Sequence, residues 1–240
     1  MSGRLGHIWV YLAASPLLWL TLTLIAYQGA TWVSRRLDHH PLANPVLLSV
    51  ALLMLVLRLT DTPYPIYFDG AQFVHFLLGP ATVALAVPLY QHFERLRRMW
   101  LPLVVTLVAG SALAAASAYG IATALGASRE VALSLAPKSA TMPIAMGISE
   151  KIGGIPSLTA VFVVLTGIFG AVVGVWLLER LGCRDDAIKG FAIGLTSHGI
   201  GTARAFQISP LAGAFSGLAM GLNGLMTAVL VPLGAHWLNH

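Results

Sequence analysis

Long runs without a single Asp, Glu, Lys or Arg set the first limit on what this chain can fold into. They cover Ile8–Ser34, Pro41–Leu57, Gly70–Phe93, Met99–Ser128, Ile152–Leu178 and Ala205–His240. A helix crossing the hydrocarbon core takes about 20 apolar residues, and every run but the second reaches or approaches that length. Strands of a membrane barrel would show segments of about ten residues with alternating polarity, and none of these runs alternates. With 10% charged residues, against roughly 25% in an average soluble domain, the chain has too little charge to coat a soluble surface. The fold class that follows is an all-α polytopic membrane protein, with about six to eight hydrophobic segments of spanning or near-spanning length.

The basic residues fall between the apolar runs, at Arg35-Arg36, Arg95/Arg97/Arg98 and Arg180/Arg184/Lys189. That is the placement of cytoplasmic loops under the positive-inside rule, so the net charge of +5 implies no nucleic-acid partner. The apolar run after Met1-Ser2-Gly3-Arg4 is too long for a secretory h-region and has no small-residue cleavage site before Arg35, and no Arg- and Ser-rich transit peptide precedes it. It reads as a retained first helix in a bacterial cytoplasmic (inner) membrane, with the lipid bilayer as first partner. The single cysteine, Cys183, excludes an internal disulfide and a cysteine-based metal cluster. No cofactor, metal site or enzymatic constellation is expected. His39-His40 lacks metal-ligand spacing, and Ser197-His198 places neighbours side by side without an orienting carboxylate.

Threading the chain by its basic loops places Arg35-Arg36 and Glu94–Arg98 inside. A full crossing by Val131–Ser149 would then put Arg180, Arg184 and Lys189 outside. The conflict vanishes if 131–149 is re-entrant, broken at Pro137 or Pro143, as is tolerated where protein or a water-filled cavity covers the break. A second interrupted segment, 190–209, carries Gly190, Gly194, Gly199 and Gly201 around Thr196-Ser197-His198 and makes a poor continuous helix. One transmembrane domain, 1–240, is therefore expected in three parts: a peripheral first helix and basic turn (1–40), a first-half bundle (41–126) and a Gly-rich second half (127–240). Gly79-Pro80-Ala81-Thr82 resembles Ala136-Pro137-Lys138-Ser139, which hints at an internal, inverted repeat and adds Thr82 to the binding candidates. Gly213, Gly217 and Gly221 stand four apart and allow close helix contact, within the chain or across a homodimer.

Two cations stand where charge is expensive. Lys138 lies about 12 Å along a helix from the nearer charged residue, and Arg204 separates two long uncharged stretches. A cation at mid-membrane opposes insertion by about 2.5 kcal/mol or more and is a functional-site candidate by default; the competing reading is snorkelling to an interface. All nine acids sit at segment ends or in loops. A cation exchanger would want a buried carboxylate, whereas an anion site wants Lys, Arg, hydroxyls and broken-helix N-termini. The candidate site is therefore Lys138 and Arg204 for charge, Ser139, Thr141, Ser197 and Thr202 as orienting donors, and freed N–H groups at Gly199 and Gly201. His198 is added for proton relay or packing, and Asn223 as a polar break or interhelical bond.

Several long motifs then carry a resemblance: Leu78–Tyr90 (LGPATVALAVPLY), Ala136–Met146 (APKSATMPIAM), Ile152–Pro156 (IGGIP) with Leu158-Thr159-Ala160, Ser197–Arg204 (SHGIGTAR), and Gly213–Ser216 running on to Ala219–Gly224. In this order they resemble the LrgB/CidB family over about Leu47 to Leu233. The chain departs from the family pattern at Met142, Leu211 and Gly217. The resemblance implies two activities. One is antiholin-like control of murein hydrolase export and autolysis with a small LrgA/CidA-type partner. The other is movement of a small monocarboxylate of the pyruvate, lactate, glycolate or glycerate kind, as in a related plastidal glycolate/glycerate translocator. The concentrated polar breaks favour transport of a small organic anion, and antiholin-like regulation is the alternative.

Overall fold

A computed structural model describes residues 15–37, 43–84 and 86–237, without the side chains of Leu78 and Thr82. The described residues are helical and contain no strand. Four stretches are long and apolar enough to cross a membrane: Tyr64–Gln91, Phe93–Ala124, Pro156–Arg180 and Pro210–Trp237. Large apolar side chains such as Leu113, Phe169 and Leu225 stand about 70% exposed, a surface suited to lipid and untenable in water. The chain is a polytopic all-α membrane protein.

It divides into two compact units, Met1–Val83 and Ala84–His240. In the first, α1 (Pro16–Arg36) packs on α2 (Pro45–Leu59) and α3 (Tyr64–Phe76). Asn44 caps α2 by accepting from the Val46 and Leu47 amides. Trp19 is fully buried and meets Tyr67 edge-on at 5.9 Å. The α1–α3 crossing is close because Gly70 has no side chain; a Cβ there would strike the Pro16 carbonyl. A short helix, α4 (Leu78–Ala84), follows.

The second unit holds α5 (Ala86–Gln91), α6 (Phe93–Ala124), α7 (Arg129–Leu135), α8 (Met142–Ile152), α9 (Pro156–Arg180), α10 (Asp186–Ile208) and α11 (Pro210–Trp237). α10 is not a straight rod. Its helical dihedrals fail at His198 (φ 42, ψ −136), and the chain doubles back there. A Cβ on Gly201 would lie 3.1 Å from the Ile193 carbonyl oxygen, although residues eight apart on a straight helix are separated by about 12 Å. Lys189 and Arg204, on opposite arms, both come under the influence of Glu179.

α7 and α8 form a second re-entrant element. Ala136 and Ile148 share a core cluster with Val231. The intervening Ser139 carbonyl reaches Asn223 Nδ2 at 3.0 Å, and Ile144 abuts Gly224. Between Ala136 and Ile148 the chain thus travels up α11 and returns.

These contacts give each helix a direction. α9 starts beside Ser134, through the 2.7 Å bond from the Ile155 amide, and ends with Glu179 at Lys189. α11 starts with Ala212 against Gly190 and ends near Leu133 and Ala136. The two helices are antiparallel, and the hairpins enter from opposite ends. Each unit of the pattern is a capped hairpin followed by a Pro-led helix, with Ser128 and Asp185 as caps and Pro156 and Pro210 as first residues. This inverted repeat relates 128–180 to 185–237. It is a different pairing from that of Gly79–Thr82 with Ala136–Ser139, and it relates whole hairpin-and-helix units. An Arg95–Asp185 ion pair places the Arg95–Arg98 and Arg180–Lys189 loops at one end.

Candidate polar site at the opposed hairpin tips

The two tips meet midway along α9 and α11. Lys138 stands close enough to His198 for its charge to act on the imidazole. Its Nζ contacts Ser139 Oγ at 3.4 Å, a long bond that leaves most of its donor capacity free. No carboxylate pairs with it among the described residues. His198 Nε2 lies 2.8 Å from the Val163 carbonyl oxygen. A carbonyl only accepts, so Nε2 carries the proton and Nδ1 is the ring nitrogen left over.

His198 holds this place under strain. A non-glycine residue at φ 42 is disfavoured by about 1–3 kcal/mol and persists where its surroundings fix it. Those surroundings are specific. The ring lies on Gly167, where a Cβ would come within 2.6 Å of its Cε1. Ser197 fits over Gly170, and Gly190 and Gly194 admit the backbone of α11 at Ala212 and Ser216. Thr202 Oγ1 donates to the His198 carbonyl at 2.8 Å and meets Ser216 Oγ at 2.9 Å. Thr202 therefore braces the hairpin from within.

Asn223 is fully buried and its amide is committed. Nδ2 donates to the Ser139 carbonyl, while Oδ1 accepts from Ser111 Oγ at 2.6 Å. It positions the first tip, the interhelical role allowed for it from sequence. Gly201 fits between the hairpin arms against Ser197 and Ile193, so it serves close packing rather than an open anion cradle. Gly199 is exposed, and Thr141 is half-buried and starts α8 without a side-chain cap bond. The Thr82 side chain lies outside the described residues. Gly213 packs against Phe206 of the same chain.

Arg204 sits elsewhere. The reversal at His198 carries it back along the second arm, about 9 Å along the helix from the tip. There Nη1 donates to Gln207 Oε1 at 2.7 Å, and Glu179 acts on it electrostatically. The structure brings Lys138 together with His198, and Arg204 together with Glu179; it does not join the two cations in one site. Reading the segment as a single broken helix hid this separation. Sequence reasoning also missed Ser111 and the Val163 carbonyl. A lone serine in an apolar run and a main-chain oxygen leave no residue-type signal, although Gly167 and Gly170 mark the room that His198 and Ser197 need. Among the described residues no cluster of metal-ligating side chains occurs.

The LrgB-like family model matches residues 23–237. The chain belongs to that family. It is 37% identical to the uncharacterized protein YwbG of Bacillus subtilis, over 89% of this chain and 94% of the relative. An uncharacterized Haemophilus influenzae protein is 35% identical over 90% and 93%. The protein named antiholin-like protein LrgB in Bacillus mycoides is 29% identical over 91% and 95%. No solved structure matches.

Proposed function

We propose that this LrgB-like protein is an antiholin-like protein of the bacterial cytoplasmic membrane whose own molecular activity is to carry a small monocarboxylate between its opposed hairpin tips. The regulatory half of the reading rests on relatives named antiholin-like protein LrgB. A small LrgA/CidA-type membrane protein is its partner in that role.

The transport half rests on one observation: Lys138 lies at a helix break beside His198 without a carboxylate partner among the described residues. A cation left unpaired at that depth is unfavourable and invites an anion. Lys138 supplies the point charge, Ser139 and Thr141 hydroxyls orient the ligand, and His198 Nδ1 faces it with or without a proton. Hairpins entering from opposite ends fit alternating access around a central site.

Uptake of pyruvate, lactate, glycolate and glycerate by reconstituted protein tests the reading. Lys138→Ala should lose uptake at least tenfold while still inserting, and wild-type protein should restore normal autolysis to cells lacking the gene. A Lys138→Ala protein that restores autolysis control, alongside wild-type protein that moves none of these anions, would leave regulation as the sole activity.

A further inference from the structure

We propose that the base of the second hairpin is a distinct oxyanion-binding site, built by Lys189 and Arg204 and filled in this structure by the protein's own Glu179 carboxylate. Lys189 is 9% exposed, and its Nζ stands 3.7 Å from Glu179 Oε1. Arg204, on the other arm, acts electrostatically with the same carboxylate. Its Nε is buried without a hydrogen-bond partner among the described residues. Gln207 Oε1 takes Nη1. Lys189 thus pairs with Glu179, Arg204 lies within reach of the same charge without an ion pair to it, and one buried guanidinium donor is unpartnered among the described residues.

Glu179 itself is 59% exposed. Its hold on the cations is long and solvent-screened, the weak class of ion pair, so it can swing out and be replaced. A soluble carboxylate could take the place of Glu179 at Lys189 Nζ and also engage Arg204, since a guanidinium binds such a group through paired N–H bonds. Glu179 therefore acts as an internal substitute for an anion, lost when a true ligand arrives. The site lies at the end that carries the basic loops, where an anion would first meet the protein. Its ligand class rests on the anion reading above, but its geometry does not involve Lys138.

The test separates the two sites. Full-length Lys138→Ala protein in nanodiscs of zwitterionic lipid is titrated with radiolabelled acetate by scintillation proximity. Adding Glu179→Gln should tighten saturable binding at least tenfold. Adding Arg204→Gln to that pair should abolish it, and Arg204→Lys should give an intermediate affinity, with all variants eluting as one species. Equal affinity with and without Glu179, no saturable acetate binding by the Glu179→Gln protein, or a response only when anionic lipid replaces the zwitterionic lipid would each overturn the site. Wild-type protein that moves none of the four anions, alongside Glu179→Gln protein that still binds acetate, would retire the carrier reading and leave this one standing.

Discussion

The bases of the two hairpins are held in opposite ways. At the first, Ser134, Ser149 and Thr159 are each 0% exposed. Thr159 Oγ1 lies 2.7 Å from Ser149 Oγ and 3.0 Å from the Ser134 carbonyl, and Ser134 Oγ accepts from the Ile155 amide. The network is neutral and fully buried. At the second, an exposed carboxylate pairs with Lys189 and acts at longer range on Arg204, one of whose buried donors has no partner among the described residues. Opening the first strands hydroxyls and carbonyls without water, at about 1–3 kcal/mol for each group. Opening the second gives up an interaction worth about 0–1 kcal/mol, since salt and water replace it. The first hairpin is built to stay, and the second is built to release.

The largest expected effect concerns what the two hairpins share, close approach to a spanning helix. Gly190→Leu would drive a side chain into the α11 backbone at Ala212, where even a Cβ has no room. No well-placed rotamer avoids main-chain atoms, so little or no monodisperse protein should be recovered. Normal expression and elution of this variant would break the account of the second hairpin.

Next comes Thr159→Val, which keeps shape and removes the hydroxyl. It should destabilise the protein by about 2 kcal/mol by leaving buried partners unsatisfied. The loss should be the same at low and high salt. Detergent-titration unfolding at two ionic strengths reads both numbers, and a salt-dependent loss would erase the contrast between the two bases.

The tip of the second hairpin gives a smaller effect with an unusual sign. In an ordinary helix interior alanine is favoured over glycine by about 1 kcal/mol. At His198 the order should invert, because only glycine accepts φ 42 without strain. His198→Gly should be more stable than His198→Ala by about 1–2 kcal/mol. Both should lose uptake, since both lack the ring. Thermal unfolding of the pair decides the stability order, and an Ala variant as stable as the Gly variant would mean the chain does not reverse there.

How much of this contrast was legible follows from its physics. The apolar runs and basic loops announce a polytopic membrane protein, because membrane crossing is a matter of length and charge. Pro137 and Pro143 flank the first tip, and Gly199 and Gly201 follow the second, so the breaks too were readable. What stayed hidden was direction. Nothing local in Ser197-His198-Gly199 distinguishes a kink from a reversal, and the reversal decides that Arg204 faces Glu179 rather than Lys138. The hydroxyl network was hidden for a different reason. Ser134, Ser149 and Thr159 are scattered, common residues whose meaning arises when three segments meet.

The smallest effect is the most discriminating for the comparison. Glu179→Gln removes the charge that pairs with Lys189 at the second base and keeps the side chain's size and hydrogen-bonding oxygen. If that carboxylate held the hairpin closed as firmly as the hydroxyls hold the first, the variant would resemble Thr159→Val. It should instead change stability by under about 1 kcal/mol at low salt, and by less at high salt as screening removes what the pair contributes. Hydrogen exchange should tell the arms apart. Amides of Ala187–Phe191 and Ala203–Gln207 should exchange faster in Glu179→Gln, while those of Ala132–Leu135 and Ile148–Ile152 should be unchanged. Acceleration in both sets would mean that the hairpins open as one body, and the division into a fixed and a releasable arm would fall.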